Sequence, residues 1–386
     1  MPRELHDGRD DGLDPLESLN PADVRTFSDL LRAMRKTAFG GRQLGEAFEV
    51  MQAMHQDPDC LVVATLSGAM TVAKMGTLLC RMIDHGMIHV VIATGALITH
   101  GLTESVGLVH YRLPAGARDS ELFAKGYNRV YDTLEMEANL NNVETVVQKA
   151  LHQLDPQQVW SSATVTHAIG RILHEDYAGD GVLKSAYQQG VPVFIPAFTD
   201  SEMGLDLSFW AMRQALAEGR VRSEGRSHTD TVHDLLSALP PFNPYQDLQY
   251  YARCILSATR TGIFTIGGGV PRNWAQQIAP YIDFMGERLG LAQQTVPRFH
   301  YGVRLCPEPV HWGGMSGSTY SEGITWGKFV PPEEGGRFAE VYADATVVLP
   351  LLVQGLLEVQ AEAALPPKSF VLPVLSAYKT PSQHPA

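Results

Sequence analysis

Six short runs of apolar, largely β-branched residues, each closed by glycine or a small polar residue, constrain this chain more than any other feature. They are CLVVATL (60–66), IHVVIATGA (88–96), VPVFIPAF (191–198), GIFTIGGGV (262–270), RFHYGVRL (298–305) and AEVYADA (339–345). A strand wetted on one face alternates apolar and polar residues. These runs are apolar almost throughout, the pattern of strands covered on both faces. Helical stretches separate them, so the fold class expected is α/β, a doubly wound and mostly parallel sheet. Ligands of such sheets sit beyond the carboxyl ends of the strands. The residues closing each run are therefore the first candidates for a site: Ser67 and Gly68; Thr94 and Gly95; Thr199 and Asp200; Gly267, Gly268 and Gly269; Asp344 and Ala345.

Around that sheet the chain divides into a charged, flexible arm (1–19), a helical lead-in (20–58), a single α/β catalytic domain (59–365) and a proline-rich tail (366–386) expected to fray. The lead-in carries helix-start chemistry, with Asn20 able to cap, Pro21 at the first helical position and Asp23 in the first turn. Between the second and third runs, YDTLEMEANLNNVETVVQKALHQL (131–154) and SSATVTHAIGRILHEDY (161–177) read as helix. The polar stretch at 224–245 reads as a surface excursion with one short helix.

Charge narrows the partners. A net charge of -12, with no stripe of Lys and Arg, argues against nucleic acid. The acidic balance suits a cationic small molecule, though many soluble proteins share it. No apolar run approaches a membrane span and the start lacks a signal-peptide core, so a cytoplasmic location is expected. Cys60, Cys80, Cys254 and Cys306 are scattered without CxxC spacing, and His100, His167, His174, His300 and His311 form no HxH or HxxxH pair. On that pattern neither a disulfide framework nor a metal site is expected.

Three motifs carry candidate chemistry. In GIFTIGGGVPRNW a buried strand runs into three glycines, which let backbone N–H groups approach a pyrophosphate, or simply make a tight turn. Asp200 and Asp344 each follow a strand and could accept hydrogen bonds from a ribose or cap a helix. In SEGITWGKF an acid, an indole and an amine stand close together: Glu322, Trp326 and Lys328. A lysine attacks carbon only as the neutral amine, which needs a dry or cationic setting. An indole beside it excludes water and attracts a substrate cation. The plain alternative is a surface lysine lying along a core tryptophan.

Taken together, EGITWGKF followed by VYADATVVLPLLVQG, with GGGVPRNW and VPVFIPAFTD upstream, resembles the deoxyhypusine synthase family from about residue 60 to 360. HWGGMSGSTYSEG and GYNRVYDTLEMEANLNN resemble its bacterial, deoxyhypusine synthase-like branch. The resemblance implies a Rossmann-like fold, NAD as cofactor, and transfer of an aminobutyl group from a polyamine such as spermidine through a lysine-bound imine. It also implies a homotetramer with active sites between subunits. Lys328 stands at the position of the imine-forming lysine, and Glu322 and Trp326 at positions lining the polyamine channel. Ser67, Thr94, Gly95, Asp200, Gly267, Gly268, Gly269, Ser316, Asp344 and Ala345 stand where the family surrounds NAD.

The chain departs from the family pattern at several positions. Asn273 replaces the histidine that follows the triple glycine, Met315 replaces a channel aspartate, and Leu205 replaces another, with Asp206 adjacent as a substitute. Thr99 and His100 replace an acidic pair. Fewer anionic contacts suit a smaller or less charged amine. The function expected is NAD-dependent aminoalkyl transfer between polyamines, with a small amine as acceptor and a homospermidine-type product. Two alternatives stand beside it: transfer to a lysine of a partner protein, as in the true synthases, and a catalytically silent protein that binds NAD or polyamine.

Overall fold

The computed structural model describes residue 3 and residues 5–222, 224–291, 296–314 and 317–373. Among the described residues, nine strands form two sheets. In chain order they are β1 (Cys60–Leu66), β2 (Val90–Ala93), β3 (Tyr111–Arg112), β4 (Tyr127–Val130), β5 (Thr133–Met136), β6 (Val193–Phe194), β7 (Arg260–Ile266), β8 (Tyr301–Leu305) and β9 (Arg337–Val341). Six of them make one parallel sheet in the order β6-β2-β1-β7-β8-β9, and each belongs to one of the six apolar runs. From β1 the chain winds outward through β2 to β6, then returns to β7 beside β1 and winds the other way. The order reverses between β1 and β7, which makes their carboxyl ends the natural crevice of the fold.

Burial on both faces accounts for the unbroken apolarity. On β1, Val62, Ala64 and Leu66 enter one core while Leu61 and Val63 enter the other, each at 2% exposure or less. Helices close both faces. Leu31, Phe48 and Met54 of the lead-in helices Phe27–Arg35 and Phe39–Gln56 share the first core with β1, β7 and β8. The helix Ala345–Glu362 lies in the same core. Among the described residues it is the one helix long and apolar enough to cross a membrane, against the sequence reading that no run comes near, and half of it is buried inside the fold.

Three sequence expectations need correction. Asn20 caps only a short 3-10 turn, Pro21–Asp23; the first α-helix starts at Phe27 behind a Thr26–Asp29 capping box. The segment read as helix from 131 begins as a hairpin. β4 and β5 pair antiparallel around Tyr131 and Asp132, with Tyr131 at φ 54°, and the helix starts only at Glu137. Nor does the tail fray where it is described. Lys368 Nζ donates to the carbonyls of Met54 (3.0 Å), Asp57 (2.9 Å) and Cys60 (2.8 Å), and Phe370 sits edge-on to His89 with centroids 4.6 Å apart. One lysine thus straps residues 366–373 to the amino end of β1.

Candidate active site

At the crevice, the turn after β7 lies against the turn after β1. Gly267 and Gly269 adopt φ +75° and +60°, a region that side chains strain to enter. A Cβ on Gly267 would also meet Ser67 Cβ at 3.1 Å. Ser67 Oγ donates to the Gly268 carbonyl, which fixes the two turns to each other. The helix Gly269–Gln276 then starts with no side-chain cap, so its first N–H groups keep their capacity to bind an anion. These features fit a dinucleotide pyrophosphate.

The neighbouring strand ends continue the wall. Thr94 Oγ1 donates to the Gly68 carbonyl (2.7 Å) and caps the helix Gly95–Ser105. Gly95 has room for no side chain, because Ser201 packs against it next to the Asp200 carbonyl. Asp200 itself is exposed, and the helix cap there is Ser201, which accepts from the Gly204 N–H (3.2 Å). Asp344 does cap a helix, accepting from Thr346 N (2.7 Å) at the start of Ala345–Glu362, and it also lies exposed. Ser316 and Met315 lie outside the described residues.

Lys328 is held by everything around it. Thr319 caps the short helix Tyr320–Thr325, and Lys328 N donates to the Gly323 carbonyl (3.1 Å) while its own carbonyl accepts from Phe299 N (3.0 Å). Next to it, Phe329 anchors the segment in an aromatic cluster, 5.0 Å from Tyr320 and 5.3 Å from Phe338. The lysine is 7% exposed, its Nζ 6.0 Å from the centre of the Trp326 ring, while Trp326 is 62% exposed. Burial, then the positive charge of Arg272, lowers the Lys328 pKa, and Glu322 opposes them. Among the described residues Lys328 Nζ has no hydrogen-bond or ion-pair partner. An amine in this setting is biased toward its nucleophilic form.

Sequence reasoning missed Arg272. It sits on the helix opened by the triple glycine, is 3% exposed, donates to the Ser318 carbonyl (2.8 Å) and lies 5.7 Å from the Tyr320 ring centre. One side chain therefore ties the glycine turn to the segment that carries Lys328. The usable signal was a basic residue three positions past three glycines, which carries little weight without the fold. Asn273, its neighbour, is exposed.

Asp206 belongs to another group of side chains. It is buried on the helix Glu202–Ala217, with Glu144, Arg213 and Glu202 as charged neighbours, whereas those of Lys328 are Arg272 and Glu322. Burial first, then Glu144 and Glu202, push its pKa up to about 7 against Arg213.

His100 also acquires partners that the sequence hides. It comes within 4.8 Å of His110 and Glu135, a group of metal-ligating types contributed by three separate elements. Hydrogen bonding accounts for them. Lys74 Nζ is 2.8 Å from His110 Nδ1 and can only donate, so the His110 proton sits on Nε2, which is 2.5 Å from Glu135. Thr103 and Asn139 complete the carboxylate's shell. Burial works against the charge on Glu135, but bonds from His100 and His110 prevail and hold its pKa near 2.

The fold and this crevice define a class, a Rossmann-like enzyme with a buried lysine tied to the glycine turn through Arg272. Its sequence fixes the family. The profile of the family described as deoxyhypusine synthase matches residues 29–356, and this chain belongs to the deoxyhypusine synthase family, a family of transferases. It is 30% identical over 341 residues to "Probable deoxyhypusine synthase 2" of Methanosarcina acetivorans, covering 88% of this chain and 89% of that protein. It is 27% identical over 325 residues to "Deoxyhypusine synthase-like protein" of Chlorobaculum tepidum, covering 84% of each. The crystal structure of a protein assigned as a deoxyhypusine synthase from Entamoeba histolytica shares the fold, with TM-score 0.53 at 12% identity over 92% of this chain and 99% of the other.

Proposed function

We propose that this chain is an NAD-dependent aminoalkyl transferase acting on polyamines, with Lys328 as nucleophile and a small amine as acceptor. The observation that carries the reading is the state of Lys328: buried, without a partner among the described residues, and beside Arg272 and an indole. Ser67, Thr94, Gly95, Asp200, Asp344, Ala345 and the turn at Gly267–Gly269 would hold NAD, which when bound accepts a hydride from an amine carbon and later returns it. Lys328 Nζ adds to the oxidised donor carbon, the donor nitrogen already bonded to that carbon leaves as an amine with a proton, and the alkyl group stays on the lysine as an imine. The acceptor's amine then adds to that carbon and frees Lys328, and reduction gives the new secondary amine. Glu322 and Trp326 would grip the donor's ammonium end, one by charge and one through its ring face.

The exposure of Trp326 supports active sites completed by a second subunit, since an indole guarding a dry lysine has reason to be covered. Light scattering should then give a tetramer.

To test the chemistry, purified protein is incubated with NAD and putrescine, spermidine or agmatine, trapped with borohydride and digested. The expected product is an alkylated Lys328 peptide, together with a homospermidine-type amine in solution. Labelling of a partner protein and not of free amine would assign the protein-lysine reaction instead, and no adduct with any amine while NAD is bound would overturn the proposal.

A further inference from the structure

The described tail crosses the amino ends of β1, β2 and β6 in turn, the opposite ends from the crevice. Lys368 bonds the carbonyl of Cys60, Phe370 meets His89 just before β2, and residues 370–373 then form one wall of a groove of about 340 Å³ beside β6. Leu183, Ala186 and Tyr187 of the helix Val182–Gln189, with Val193 and Tyr250, line the other side. The polar groups there are engaged or uncharged. Thr166 Oγ1 donates to the Val193 carbonyl (2.8 Å), and burial, then Arg171, hold the His167 pKa down to about 4, so that ring is neutral at neutral pH. Among the described residues no Asp, Glu, Lys or Arg lines the groove. An ammonium or a phosphate finds no counter-charge in it, whereas an aliphatic segment finds its match.

An added strand cannot pair with β6. The Val193 carbonyl is taken by Thr166, and the Ile195 N–H donates to Ser162 Oγ (2.8 Å). Whatever fills the groove does so through side chains.

The tail supplies the occupant. Phe370 and Leu372 pack against the core while Val371 between them is 99% exposed, the alternation of an extended segment. Residues 374–386 lie outside the described part. The apolar run FVLPVL continues past Pro373 for two residues, Val374 and Leu375, before the sequence turns polar in SAYKTPSQHPA. Two residues carry a chain no more than about 7 Å. Because Pro373 is itself part of the wall, the end of the apolar run is tethered at the groove.

We infer that Val374 and Leu375 of the same chain dock in this groove and complete a clasp that runs from Lys368 across the amino edge of the sheet. A tethered segment needs little affinity of its own, since the chain holds it at high effective concentration. The clasp joins β1, β2 and β6 on the side remote from Lys328, so it stabilises that half of the sheet and takes no part in the chemistry.

The test uses the full chain with two introduced cysteines, Tyr187→Cys and Val374→Cys; the four native cysteines are buried and unbridged. Mild oxidation is expected to link the pair within one chain, seen on a denaturing gel as a monomer of altered mobility and by mass spectrometry as one linked peptide. Tyr187→Cys with Gln383→Cys should link roughly tenfold more slowly or less. Links between chains would give the groove to a second copy, and no link, or equal linking from position 383, would overturn the inference. A chain ending after Pro373 provides a second measurement without any substitution in the groove. Its melting temperature should fall by several degrees, and amide hydrogen exchange over residues 183–193 should quicken about threefold or more, with the borohydride adduct at Lys328 unchanged. Unaltered exchange and melting in the shortened chain would equally overturn the docking.

Discussion

Two lysines lose water in this fold, Lys328 buried and Lys368 half-buried at the amino end of β1, and burial is the leading cause that lowers the pKa of each. They do different work. At the amino end, Lys368 donates to three backbone carbonyls, so all three of its protons are used and the ammonium replaces water for Met54, Asp57 and Cys60. Near the crevice, Lys328 has its backbone fixed on both sides and its amine left unpartnered among the described residues, with Arg272 adding repulsion. A lowered pKa alone does not mark a nucleophile. What separates the two is whether the charged form has partners: Lys368 is a strap, and Lys328 is poised to react.

Exchanging each lysine should break that contrast most visibly. Lys328→Ala should abolish borohydride trapping and cut turnover by roughly 10³-fold or more, while leaving the melting temperature unchanged or slightly raised. Lys328→Arg should not restore activity, because a guanidinium stays charged. Lys368→Met keeps the bulk and removes the donors. The Met54 and Cys60 carbonyls then lose this donor outright while that of Asp57 keeps the Cys60 N–H, at a cost of about 1–3 kcal/mol. Thermal melting should register the loss as a drop of several degrees, and turnover measured well below the melt should hold.

A smaller effect sharpens the claim about Arg272. Its charge helps to depress the Lys328 pKa, so Arg272→Met should move the acid limb of the pH–rate profile upward. Activity would fall on the acid side and recover as pH rises, whereas a merely structural loss would lower the whole profile.

The smallest prediction concerns Asp206, the acidic counterpart of Lys328. Its folded pKa, about 7, lies above the ordinary 3.8, so its contribution to stability is fully present below pH 3.8 and is lost as pH rises through 7. Asp206→Asn removes that loss. Melting temperature should rise by roughly 1–3 °C at pH 8 and change little at pH 5.

Much of the sheet was legible because its signal is local. A strand buried on both faces must be apolar almost throughout, and β1 and β7 are, from Cys60 to Leu66 and from Gly262 to Ile266, with Thr65 and Thr265 hydrogen-bonded to each other. The hairpin of β4 and β5 was not, because TLEM is made of good helix formers and Tyr131–Asp132 lacks the glycine that usually announces such a turn. In the site, Glu322, Trp326 and Lys328 were visible through short spacing. Arg272 reaches Ser318 from 46 residues away and Lys368 reaches Cys60 from 308, and no window along the chain brings such pairs together. His100 was noted for the acid it replaces, yet its partner Glu135 arrives on a small sheet that the sequence reading had taken for helix.

The lowering of the Lys328 pKa by burial and Arg272 is the claim on which the rest stands, and it can be read directly. Protein labelled with carbon-13 at lysine Cε is titrated by NMR, with the Lys328 resonance assigned from its absence in Lys328→Arg. A midpoint below the ordinary 10.5, moving up in Arg272→Met, is the predicted result. A Lys328 signal that titrates at or above 10.5, indifferent to Arg272, would contradict the account.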